Sequence, residues 1–98
     1  MKLEKNDRSM LFSETQIPDV FFTEYMSEAN GDYIKVYLCM LFLTKYDKDI
    51  KLNDLSKRLN ISLSIIQAAL SYWEEKGVLT KKVNGYILND LQEIELHK

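Results

Sequence analysis

Residues 52–78 read LNDLSKRLNISLSIIQAALSYWEEKGV, and this stretch restricts the fold more than any other. Leu55 and Leu59 share one face of a short helix, with Asn53 placed to cap its start. Asn60 tolerates the left-handed conformation that ends such a helix, and Ser62 then caps a second one. Ile61, just before that cap, and Ile66, four residues after it, have the spacing of a hydrophobic staple. Ile66, Ala69, Leu70 and Trp73 continue as an inward stripe. Gly77 stands where a helix-terminating glycine belongs, directly before the apolar pair Val78 and Leu79. Two helices joined by a tight turn and followed by a ribbon are expected.

The flanking segments extend that frame. Residues 78–83 and 86–88 surround Asn84-Gly85, a strong hairpin signal because both central residues of such a turn need positive φ. Leu91 and Ile94 predict a short closing helix. Residues 48–52 alternate charged and apolar, as a short edge strand would. Farther upstream, residues 1–9 are polar and expected to be flexible, and residues 10–16 are too short to choose between strand and coil. Ile17-Pro18-Asp19 leads into a helix ending near Glu28, with Val20, Phe21, Phe22, Tyr25 and Met26 on more than one face. Asn30-Gly31 closes it, and Asp32 is the expected cap of a further helix running to about Tyr46. There Ile34, Tyr37, Leu38, Leu41 and Phe42 make a stripe, while Val36, Met40 and Leu43 fill much of the other side. A strand competes for this run, since Val, Tyr and Phe favour one, but its length argues for helix.

The order Leu55, Leu59, Asn60, Ile61, Ser62, Ala69, Leu70, Trp73, Glu74, Glu75, Gly77, Val78, Leu79 resembles the winged-helix pattern of many bacterial regulators. In that family the second helix enters the major groove and the ribbon touches the DNA backbone. Winged helices also serve as protein docking modules, so the resemblance implies a fold more than a function. The expected architecture is mainly α with a small β-wing, a winged helix-turn-helix with an N-terminal helical extension. All of 1–98 is read as a single domain: 10–31 the extension, 32–89 the winged helix, 90–98 a C-terminal helical segment.

Composition narrows the chemistry. A net charge of −2 does not favour phosphate. The apolar run 36–43 is far short of the roughly 20 residues of a membrane span, and no signal-peptide order is present. The chain is read as cytoplasmic. Its single cysteine, Cys39, lies within that run as a small buried hydrophobe, which excludes a disulfide framework. Cys39 and His97 are too few for a metal site, three scattered glycines make no phosphate loop, and no nucleophile has a base in a motif. Neither cofactor nor enzymatic activity is expected.

The second helix is a poor reader of DNA. With Ile66, Ala69, Leu70 and Trp73 facing inward, its outward residues are Leu63, Ser64, Ile65, Gln67, Ala68, Ser71, Tyr72 and Glu75. Only Gln67 is an obvious base reader, and Lys76 is outnumbered by Glu74 and Glu75. Leu63, Ile65, Ala68 and Tyr72 form a second apolar row, which either lies under the N-terminal segment or docks another protein. Lys57, Arg58, Lys81 and Lys82 are the candidates for a weak nucleic-acid contact, against the simpler reading of a solvated rim.

The N-terminal half carries a second likeness. A short possible strand, IPDVFFTEYM, the polar break Asn30-Gly31-Asp32, a strongly apolar helix and then the winged helix resemble the N-terminal domain of the DnaD family. These are bacterial and phage proteins of replication initiation and the primosome. The resemblance spans about Met10 to Leu96, on diffuse apolar positions. It implies self-association as a dimer or tetramer and contact with a DnaA-like initiator. It also implies DNA binding that is weak here or left to a separate C-terminal domain. The chain stops among charged residues, and the expectation is a piece of a longer protein. By matching position, oligomer contacts fall on Phe12, Ile17, Phe21 and Phe22, whose alternative is packing within the monomer. Phe21→Asp and Ile65→Asp are expected to keep the fold and lower assembly. A DNA-binding winged-helix transcriptional regulator is the competing reading.

Overall fold

The computed structural model describes residues 1–3, 13–46 and 49–98. A π-helical turn, Phe21–Tyr25, precedes α1 (Gly31–Leu43), which a short 3-10 turn (Thr44–Tyr46) extends. Then follow α2 (Leu52–Leu59), α3 (Leu63–Glu75), β1 (Leu79–Lys82), β2 (Gly85–Leu88) and α4 (Leu91–Leu96). This is a mainly helical domain with a small antiparallel wing after the helix-turn-helix. The expectation for residues 1–9 lies mostly outside the described residues, as do positions 10–12 of the possible first strand. Residues 13–16 have no regular structure.

The helix-turn-helix forms where its local chemistry placed it. Asn60 has φ 55 and ψ 47, and the Ile61 N–H reaches back to the Ser56 carbonyl at 3.1 Å. Ser62 accepts from the Ile65 N–H, opening α3. At the other end Gly77 has φ 77, with Gly77 N–H bonded to Glu74 O at 3.0 Å and Val78 N–H to Trp73 O at 2.9 Å. That pair of bonds is a Schellman stop, and its usual apolar contact is supplied by Trp73 and Val78, both fully buried.

Two caps sit elsewhere than expected. Asn30, not Asp32, caps α1: its side chain accepts from the Asp32 N–H at 2.8 Å. Asp32 instead lies in the first turn, where its carboxylate favours the positive helix end. For α2, Lys51 occupies the cap position and has no acceptor to offer. The Asp54 carboxylate inside the helix accepts from the Lys51 N–H at 3.2 Å, so Asn53 is left in the first turn. Asp49–Lys51 is not a strand; the described sheet contains β1 and β2 alone.

The hairpin also departs from local preference. Lys82 pairs with Gly85, so Val83 and Asn84 form the turn, and neither has positive φ. Centring the turn on Asn84-Gly85 would set Leu79 opposite Asp90. The observed register sets buried Leu79 opposite half-buried Leu88 and frees Asp90 to cap α4 through the Gln92 N–H at 3.0 Å. The Asn89 side-chain amide donates to Gly77 O and to Thr80 Oγ1, each at 2.9 Å, fixing the hairpin base. Burial and two side-chain anchors outweigh one turn preference.

The core is aromatic at its centre. Trp73, Tyr37 and Phe21 are its largest fully buried side chains, with Phe21 stacked on Tyr37 at 4.9 Å between ring centroids and 6.1 Å from Trp73. The Trp73 indole N–H donates to Tyr33 O at 2.8 Å, tying α3 to α1. On α1 the deepest residues are Val36, Tyr37, Cys39 and Leu43. Of the expected stripe only Tyr37 is fully buried; Ile34, Leu38 and Leu41 are half-buried and Phe42 is exposed. The helix is covered by α2 on one side and by α3 on another, so its buried arc is rotated from the stripe.

Candidate interaction surfaces

The N-terminal turn supplies both core and surface. The Met26 N–H reaches the Phe21 carbonyl at 2.9 Å, five residues back. Phe21 and Tyr25 point inward, leaving Phe22 and Met26 on the outside at 46% and 39% exposure. Phe21 is completely buried in the chain's own core, and this corrects its assignment to an oligomer contact: no neighbour reaches it without opening the fold. Phe22 remains available. Ile17 is half-buried and packs on the core beside the β2–α4 junction, lining a cleft with Tyr37, Leu41 and Leu91. Phe12 lies outside the described residues.

The second apolar row of α3 divides in the same way. Ile65 and Tyr72 are half-buried against the core, with the Tyr72 ring 5.3 Å from that of Tyr33 on α1. Leu63 and Ala68 are exposed. The outer face of α3 therefore presents Leu63, Ser64, Gln67, Ala68, Ser71 and Glu75 to solvent, a surface with no cation. Lys76, which follows the helix, sits over the Tyr72 ring at 5.6 Å and pairs with Glu28 at 4.0 Å.

The expected basic candidates lie on two elements. Lys57 and Arg58 occupy the last turn of α2 and border a cleft that also holds Asp49, Asp54, Phe42 and Tyr46. Lys81 and Lys82 are neighbours on β1, so strand alternation sends them to opposite faces of the wing. The ribbon thus offers one cation per face.

One contact had no signal in the sequence because it joins the two ends of the chain. The Tyr25 hydroxyl donates to Glu95 Oε1 at 2.8 Å, and Lys98 Nζ donates to the same oxygen at 2.7 Å. Burial, then the bond to Glu95, pushes the Tyr25 phenol up to about 12. The Lys98 and Tyr25 hydrogen bonds hold the Glu95 carboxyl below its ordinary range. Tyr25 stabilises the fold fully below the unfolded phenol's pKa of about 10, and that contribution is lost as pH rises toward 12. Urea unfolding followed across this window is expected to show a fall in stability that Tyr25→Phe makes shallower.

Cys39 is buried and its thiol is pushed up by that burial, partly offset by the Arg58 charge. Exposed His97 lies 3.9 Å from Glu93. Among the described residues no group of three or more His, Cys, Asp or Glu side chains is gathered to hold a metal ion. No described helix is long and apolar enough to cross a membrane.

Comparison with known proteins found no matching family model, no matching curated protein and no matching solved structure.

Proposed function

We propose that this chain is a non-catalytic oligomerisation and protein–protein interaction domain, of the DnaD-like winged-helix kind used in replication initiation. The supporting observation is the outer face of α3. A helix that reads DNA needs cations for phosphates and polar side chains for base edges. Here Leu63, Ser64, Gln67, Ala68 and Ser71 carry no positive charge, and the adjacent Lys76 is engaged by Tyr72 and Glu28. Phe22 and Met26 add an exposed apolar pair on the N-terminal turn. Such pairs favour contact with polypeptide.

The replication assignment rests on the order of segments, an apolar extension around Ile17-Pro18 followed by the winged helix. In this reading the domain works in the cytoplasm without a cofactor. It assembles with copies of itself as a dimer or tetramer and meets a DnaA-like initiator. DNA contact is weak and limited to Lys57, Arg58, Lys81 and Lys82.

Light scattering at tens of micromolar tests the reading, and a dimer or larger species is expected. Phe22→Asp is expected to lower that assembly state while leaving the thermal midpoint nearly unchanged, because the ring is half in solvent. A strict monomer at every concentration removes self-association. The uncharged hydrogen-bonding set Ser64, Gln67 and Ser71 favours a second reading, a DNA-binding regulator. Tight, sequence-selective duplex binding with a steep salt dependence replaces the first reading with this one.

A further inference from the structure

The wing has a free edge that opens onto a cleft lined in part by apolar side chains. In an antiparallel ladder, alternate residues turn their N–H and C=O toward the partner strand. The Asn89 N–H bonds Val78 O at 2.9 Å, and the register continues through Thr80 with Ile87 and Lys82 with Gly85. The backbone groups of Tyr86 and Leu88 therefore point away from β1. In the described sheet no third strand meets them.

Beside this edge lies a cleft of about 590 Å³ whose lining includes Met40, Leu43, Leu52, Leu55 and Leu70. Asp49 and Ile50 also line it, without pairing to β2. Two donors and two acceptors at two-residue spacing, next to apolar side chains, match the alternation of an extended chain.

We infer that the β2 edge binds an extended peptide strand of a partner protein, with apolar residues at alternate positions entering the cleft. Main-chain bonds to Tyr86 and Leu88 give affinity, and the cleft selects every second side chain. A short linear segment suits the site better than the folded body of a second copy. Four residues of β2 span only about 14 Å, whereas a stable pair of globular surfaces buries roughly 800 Å² a side. This inference rests on the reading of the domain as a protein-binding module and names one of its surfaces.

Amide exchange by NMR tests it, using a short capped peptide of alternating threonine and valine and the same peptide N-methylated at alternate residues. The Tyr86 and Leu88 amides are expected to exchange fast in the free chain and at least tenfold more slowly with the first peptide. The Ile87 amide, already bonded to β1, should not change, and the N-methylated peptide should have no effect. Tyr86→Pro, which removes an edge donor, should abolish the protection with the rest of the amide spectrum intact. Protection in the free chain at low concentration means residues 49–51 already pair there and overturns the inference. Protection that grows with protein concentration alone assigns the edge to a second copy and overturns it too. No protection at millimolar peptide does the same. Light scattering of the same samples reports self-association separately, so loss of either claim is seen independently of the other.

Discussion

Phe21→Ala is expected to lower the unfolding free energy by about 3–5 kcal/mol, read as a fall in the urea midpoint. The side chain has no exposed surface, stacks on Tyr37 and reaches Trp73, so removing it leaves a cavity bordered by three elements. Small domains have only about 5–15 kcal/mol of stability, so this single change consumes a large share of it. Phe21→Asp is expected to unfold the chain, since it adds an unpaired buried charge to the same cavity. That reverses the sequence-based expectation of a folded variant with weaker assembly. Phe22→Ala, one residue away, serves as the control and should cost about 1 kcal/mol or less. Equal losses at the two positions would show that the N-terminal turn is not seated on the core as described.

Trp73→Ala carries the second large effect, again about 3–5 kcal/mol. Trp73 lies fully buried between Phe21, Tyr37 and Tyr72, with ring centroids 6.1, 5.5 and 4.9 Å away. Its indole N–H also donates to the Tyr33 carbonyl at 2.8 Å, and truncation removes that bond between α3 and α1. Trp73→Phe should restore most of the packing and none of that bond, giving a loss between wild type and alanine. Because Phe21 and Trp73 share one cluster, the double alanine variant should cost less than the sum of the singles. Additive losses would mean that the two rings act independently.

Both predictions concern the junction between the N-terminal extension and the helices that follow it, where the sequence leaves open whether the aromatics pack within the chain or against a neighbour. Phe21 and Phe22 are adjacent and chemically identical. Only the seating of the π-helical turn on α1 and α3 decides which is core and which is surface. The same holds for α3, where Ile65 and Tyr72 belong to the helical spacing of an outward row. Tyr33 on α1 covers part of that row, leaving Leu63 and Ala68 outside. The helix is less apolar at its surface than its sequence implies, yet it is still without a cation.

The sequence by itself determined the helix-turn-helix, its stops at Asn60 and Gly77, its cap at Ser62, and the inward stripe Ile66, Ala69, Leu70 and Trp73. Those features depend on backbone chemistry and side-chain spacing within a few residues of each other, and such interactions are encoded locally. Tertiary structure alone decided the register of the wing, the burial of Phe21, the Tyr25–Glu95 contact and the free edge at Tyr86 and Leu88. The burial of Phe21 and the Tyr25–Glu95 contact join segments far apart in the chain, and at the wing the pairing of Leu79 with Leu88 overrode the turn preference of Asn84-Gly85. Local rules specify which conformations are cheap; packing between distant segments chooses among them.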